Sequence, residues 1–305
     1  MRLSTESRAL AAALITATIW ASAFVGIRAL AGTFSPGSIA IGRLLVGVVV
    51  LAAIALSGSR PLISRGDLAA VLTSGVLWFG LYSILLNAGE RRLDAGTAVL
   101  LVNFGPILIT LFAGVFLKEG LPVQVLLGCV VAFVGTAVVA ASSSEGGSGG
   151  PSTQGVVLCL AATVAYAAAA TLQKRALRRV PGAWVNLLGA LAACVACSPF
   201  APGLVAELST AGPSQRAWLV YLGVFPTAIG FTTWAYALAR TSAGRTAAIT
   251  YLIPPLTIGL GWLLLAELPT LLALVGGAIC VAGVALARSR SLPRLLARRL
   301  RGLDG

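Results

Sequence analysis

Two stretches decide the reading of this chain: residues 92–119, RLDAGTAVLLVNFGPILITLFAGVFLKE, and residues 240–267, RTSAGRTAAITYLIPPLTIGLGWLLLAE. They align without a gap at an offset of 148. Continued to residues 137 and 285, the alignment holds 11 identities in 46 positions. Arg92 matches Arg240, Ala95-Gly96 matches Ala243-Gly244, and Pro106 matches Pro254. Glu119 matches Glu267, Gly128 matches Gly276, and Gly135 matches Gly283. The chain is therefore an internal duplication. Two copies are too few for a solenoid.

The copies are apolar. The 305 residues are 58% hydrophobic and 10% charged, against about 25% charged in a soluble domain. That leaves too little polar surface to cover a globule in water. The apolar runs are continuous, as in 46–56 and 247–266, so a barrel with alternating polarity does not fit. An all-α integral membrane protein does. Ten spans of about 20 residues are expected near 9–28, 37–57, 67–88, 95–117, 122–141, 155–174, 183–201, 216–238, 243–265 and 270–287. That gives ten transmembrane helices in two five-helix repeats: a first repeat over 1–141, a Gly/Ser linker over 142–153, a second repeat over 154–287 and a basic tail over 288–305. An odd span count inverts the second copy. Inverted repeats meeting at a midplane site are the architecture of many secondary transporters.

The net charge of +13 carries no basic motif interleaved with aromatics on a soluble domain, so nucleic acid is excluded as a partner. Instead the cations orient the chain. With the N-terminus inside, 17 Lys and Arg fall on the inner side and four on the outer, with Arg43 inside the second span. Both termini are expected in the cytoplasm, and the protein in a bacterial inner membrane. Residues 9–27 read as the first span and not as a cleavable signal. Leu292, Leu295, Leu296 and Leu300 give the tail a helical spacing, which fits an amphipathic surface helix or a plain stop-transfer anchor. Cys194-Val-Ala-Cys197 lies in an apolar run with no second pair and no His in the chain. It reads as packing, and no metal or cofactor is expected. Without a phosphate-binding G-x-x-x-x-G-K loop the chain does not itself hydrolyse ATP.

Several motifs resemble the EamA-type members of the drug/metabolite transporter superfamily. Residues 20–28, WASAFVGIR, look like the family's first-span signature, and Arg43 like its arginine early in the second span. Ala95-Gly-Thr-Ala98 with Pro106 and Glu119 looks like the fourth-span pattern, and Ala243-Gly244, Pro254 and Glu267 like its second copy. The resemblance covers almost the whole chain. It implies a ten-span carrier of a small molecule, often an exporter of amino acids or related metabolites, without naming a substrate. One departure is that the position matching Arg43, near Leu188 or Gly189, is apolar.

A charged group in a span is costly and needs a reason. Arg43 either locks two helices through a carbonyl or polar neighbour, or faces a cavity and attracts a carboxylate. Glu119 and Glu267 either cap the following helices or form gates that break and reform. Pro106 and Pro254 interrupt equivalent spans, and the carbonyls they free can line a site. Trp20, Trp78, Tyr82, Asn103, Tyr166, Trp234 and Tyr251 sit too deep for interfacial anchors. They are candidates to line a substrate cavity or to bond between helices. Gly128, Gly135, Gly276 and Gly283 read as close helix packing. No Asp or Glu lies mid-span, so a buried proton-relay carboxylate is not expected.

The expected function is secondary transport by alternating access, exporting a small metabolite such as an amino acid or similar amphiphile. A multidrug or cationic-compound exporter is the alternative, but it wants a deep carboxylate. A scaffold or sensor lacks a soluble domain to pass a signal on, and the short loops hold no catalytic set, so an enzyme is not expected.

Overall fold

The computed structural model describes residues 4–30, 32–90, 92, 101–143, 153–265 and 270–289. Their regular structure is entirely helical, with no strand among the described residues. The first half holds α1 (Thr5–Leu30), α2 (Pro36–Leu56), α3 (Arg65–Gly75), a π segment (Val76–Tyr82), α4 (Ser83–Glu90), α5 (Gly105–Phe116) and α6 (Val123–Ser143). The second holds α7 (Thr153–Ala176), α8 (Gly182–Ala196), a 3-10 turn (Ser198–Phe200), α9 (Ala201–Thr210), α10 (Pro213–Leu222), a π segment (Gly223–Ile229), α11 (Gly230–Arg240), α12 (Ala243–Ala247), a 3-10 segment (Ala248–Leu252), α13 (Ile253–Leu265) and α14 (Leu271–Arg288).

Helix starts follow local chemistry. Ser35, Ser64, Ser242 and Thr270 each accept a first-turn N–H of the helix they precede, satisfying donors that have no intrahelical partner. Among the described residues, six helices are long and apolar enough to cross a membrane, or seven if the pair Gly182–Ala196 and Ser198–Thr210, bent by 56°, is one span.

The duplication's register runs beyond the stretch of residue identity. Helices α1 and α7, α3 and α10, α5 and α13, and α6 and α14 each begin 148 residues apart, and the two π segments 147 apart. Contacts between the halves come in matched pairs. Helix α1 packs on α11 and α13, and α7 packs on α4 and α5. Likewise α2 packs on the second π segment and α8 on the first.

The counterparts α6 and α14 pack against each other. A Cβ on Gly128 would meet Ala287, one on Gly135 would meet Cys280, one on Gly283 would meet Ala132, and one on Gly276 would meet Val139. Numbering rises on α6 as it falls on α14, so the two run antiparallel. The four glycines are the crossing surface, and a thiol–carbonyl bond from Cys280 to Ala132 (3.4 Å) joins two repeat-matched residues there.

Candidate functional site

Five of the aromatic residues expected to act together do meet. The rings of Trp20 and Trp234 are 5.3 Å apart, Trp78 and Trp234 5.6 Å, and Trp78 and Tyr166 5.0 Å. Tyr82 lies 5.7 Å from Tyr166. Phe231, which sequence reading missed, is 5.1 Å from both Trp20 and Trp78. These rings come from α1, the first π segment, α7 and α11. Trp78, Tyr166 and Trp234 are buried, whereas Trp20 and Tyr82 are half-buried. Tilted and edge-to-face contacts of this kind add to the area that each ring buries.

Both π segments serve this cluster. A π turn widens the helix and re-aims its side chains. The first presents Trp78 and Tyr82. The second contains Pro226, whose carbonyl accepts the Trp20 indole N–H at 3.1 Å. Gly230 follows it, and a Cβ there would lie 2.8 Å from the Trp20 nitrogen, so glycine lets the indole in.

Arg43 reaches this region from α2. Its Nε donates to Thr227 Oγ1 at 2.8 Å, and Thr227 donates onward to the Leu222 carbonyl at 2.8 Å. Among the described residues no carboxylate pairs with Arg43, and its two terminal nitrogens have no hydrogen-bond acceptor. The Tyr82 phenol lies within electrostatic reach of the guanidinium. Gly189, near the position matched to Arg43, is a packing residue instead. A Cβ on Gly75 would come within 2.2 Å of its carbonyl oxygen.

Two further residues missed by sequence reading support the cluster. The Trp234 indole donates to Gln173 Oε1 (3.0 Å), Gln173 Nε2 to Asn186 Oδ1 (3.1 Å), and Asn186 Nδ2 to the Phe231 carbonyl (2.9 Å). All three side chains are buried. An amide inside an apolar run is the signal that could have found them, because each must find partners there.

The prolines behave otherwise than as kinks inside a helix. Pro106 and Pro254 lie in the first turns of α5 and α13, and the spans are broken before them, at residues 103–104 and in the 3-10 segment Ala248–Leu252. Proline's missing N–H costs nothing in a first turn. The Leu101 carbonyl at the break accepts the Phe104 N–H at 3.3 Å and the Thr163 hydroxyl at 3.1 Å. Gly105 lets the break approach Tyr166, whose ring would be 2.6 Å from a Cβ there. Asn103 sits in this break, half-buried and engaged. Tyr251 has no ring contact with the aromatic cluster, although its phenol lies within electrostatic reach of Tyr166. It is fully buried against Cys129, Ile249 and Val284, with its hydroxyl unpartnered.

Glu119 does not cap the helix that follows it. Its Oε2 accepts the N–H of Ala243 (2.7 Å), the first residue of α12 in the other half, and its Oε1 lies 3.7 Å from Lys174 Nζ. Lys174 also donates to the carbonyls of Leu238 and Thr241 at the end of α11. The turn between α11 and α12 thus offers a helix C-terminus to a cation and a helix N-terminus to an anion, each with the favourable sign of dipole. Glu119 is aimed by its own turn. Its N–H bonds the Ala113 carbonyl at 3.2 Å, and Lys118 takes the left-handed position (φ 56°) usually left to glycine. A side chain there costs about 1–2 kcal/mol. Nearby, Arg178 donates to the Leu117 carbonyl at 3.2 Å. Glu267 lies outside the described residues, as do 95–100 and the tail from 290.

These features define a multi-pass helical membrane protein of two matched halves with a polar and aromatic cluster between them. The model of the EamA-like transporter family matches residues 7–141 and again 153–289, and the chain belongs to that family. It is a membrane transporter. It is 37% identical over 290 residues to a probable terminal-alkyne amino-acid exporter of Streptantibioticus cattleyicolor, covering 94% of this chain and 96% of that one. A probable amino-acid metabolite efflux pump of Salmonella typhimurium is 26% identical over 216 residues, 68% of this chain and 71% of its own. An uncharacterized transporter of Bacillus subtilis is 32% identical over 269 residues, 87% and 86% of the two chains. A solved crystal structure superposes with a TM-score of 0.75 over 98% of this chain and 99% of its own, at 21% identity, and shares the fold.

Proposed function

We propose that this transporter exports a small carboxylate-bearing metabolite of the amino-acid class from the cytoplasm. Arg43 receives the carboxylate, and the edge of the ring cluster at Trp20 and Tyr82 receives the apolar part. The carrying observation is Arg43 itself. A guanidinium inside the membrane is expensive, and here only Nε is satisfied while the paired terminal nitrogens, which suit a carboxylate, are left over. The relatives named for amino-acid export support the same class. A cationic substrate would want a carboxylate beside the rings, and none stands there among the described residues.

Alternating access fits ten spans in two inverted repeats, both termini cytoplasmic, in a bacterial inner membrane. The antiparallel crossing of α6 and α14 supports the inversion, since each is the other's counterpart. The excess of inner-side cations supports the orientation. In this reading the Glu119–Lys174 contacts close the cytoplasmic end, because they tie α5, α7, α11 and α12 together.

The test compares amino acids and related metabolites released by cells making the intact protein, Arg43→Ala or Arg43→Lys, at matched membrane levels. The intact protein releases one metabolite class, Arg43→Ala does not, and Arg43→Lys does so weakly. Equal release by Arg43→Ala and the intact protein would sink the carboxylate role.

A further inference from the structure

At the end of the bundle that holds Glu119 and Lys174, a hollow of about 610 Å³ opens to the surface between α1, α11, α12 and α14. Four cations line it, Lys174, Arg240, Arg245 and Arg288, against the carboxylates of Glu6 and Glu119. Two of the cations are already satisfied. Lys174 is held by Glu119 and two carbonyls, and Arg240 bonds the Tyr236 carbonyl (3.2 Å) with its guanidinium 3.6 Å over the Tyr236 ring. Arg245 and Arg288 are different. Both are half-buried, they stand within electrostatic reach of each other, and neither side chain has an acceptor among the described residues.

Cations that merely anchor a span fan outward to headgroups. These two converge from α12 and α14 on one hollow, whose four cations exceed the two carboxylates, Glu6 and Glu119, that line it. Neighbouring guanidinium groups without acceptors suit an oxyanion such as a carboxylate. The floor of the hollow is the Glu119–Lys174 contact, and Gln173 beside it bonds Trp234 of the ring cluster.

We infer that Arg245 and Arg288 form a first binding site for the carboxylate of the transported molecule, on the cytoplasmic side of the Glu119–Lys174 closure. This rests on the export and orientation proposed above. An anionic phospholipid headgroup offers similar oxygens. The hollow's floor on the closure, rather than on the bilayer, favours the soluble carboxylate.

The test needs no transport. Thr5, exposed on the rim of the hollow, is changed to Cys in protein reconstituted in phosphatidylcholine vesicles, with the Thr5 form as blank. Thiol reagents carrying a sulfonate or a quaternary ammonium report the local potential. The sulfonate reagent is expected to react about tenfold faster relative to its rate on a free thiol, and only from the cytoplasmic face. Propionate slows it and propionamide does not. Arg245→Gln with Arg288→Gln abolishes both the preference and the protection, while Arg245→Lys with Arg288→Lys keeps them. Loss of propionate protection when phosphatidylglycerol is added would assign the site to lipid and overturn the inference. So would absence of any preference in the intact protein. Reaction from the outer face alone would overturn the role in export while leaving the charge of the hollow measured, which separates that failure from one at Arg43.

Discussion

Single residues show how a polar group survives inside an apolar bundle. Arg43 depends on Thr227, whose hydroxyl donates its hydrogen bond to a carbonyl and so offers Arg43 a lone pair. Thr227→Val removes that acceptor and should lower export about tenfold, since a hydrogen bond to a charged group is worth about 1.5–3 kcal/mol. Thr227→Ser should keep export near the intact rate. Trp234→Phe keeps a ring but takes the donor from Gln173 Oε1, leaving a buried acceptor unmet. A loss of about 1–3 kcal/mol is expected as a lower unfolding temperature in detergent, and an unchanged temperature would show that Gln173 finds another partner. At this scale the sequence pointed to Arg43, Trp20, Trp78, Tyr82, Tyr166 and Trp234, because arginine and deep aromatics are conspicuous in apolar runs. It did not point to Thr227, whose part depends on which helix faces Arg43.

Elements are set by where backbones must approach. Helices α3 and α8 cross at Gly75 and Gly189, where a Cβ on Gly75 would come within 2.2 Å of a carbonyl oxygen. Gly75→Ala should therefore drive the helices apart and cut the yield of monodisperse protein. Gly80→Ala, inside the π segment, meets only Ala196 at 3.9 Å and should be tolerated. Equal yields would show that the crossing is looser than described. Element type was harder to read than element place. The span near 67–88 is present, yet its middle is a π segment, and the span near 183–201 bends away at Cys197–Ser198. Apolar runs do not encode these changes, which come from neighbouring helices. Prolines 106 and 254 marked real interruptions, but the break lies before each proline because its fixed φ suits a first turn.

Across the whole molecule, the Glu119–Lys174 contacts tie the first half, just past α5, to α7, α11 and α12 of the second half at one end. Lys174→Met leaves Glu119 and the Leu238 and Thr241 carbonyls without their cation, so the closed end should open more often. Ala113→Cys, buried beneath Glu119, is expected to react with a soluble thiol reagent about tenfold faster in the Lys174→Met background, the equivalent of about 1.4 kcal/mol. An unchanged rate would make the pair a static brace. The sequence offered Glu119 and Glu267 as matched gates or local caps. The structure gives Glu119 no cap on its own next helix but a contact across the halves.

The sequence by itself determined the solvent, because 58% hydrophobic residues leave too little polar surface for water. It determined the duplication, because a constant offset survives wherever glycine, proline or charge cannot be exchanged. The motifs it carries also determined the family. The sequence placed α1 and α7 in the repeat by span count alone, and the tertiary structure set their register, because freely interchangeable apolar residues erase identity there. Only packing decided which polar groups meet: Arg43 with Thr227, Trp234 with Gln173, and Glu119 with the first turn of α12. Each pair joins positions far apart in the chain, and local residue patterns do not report which helix faces which.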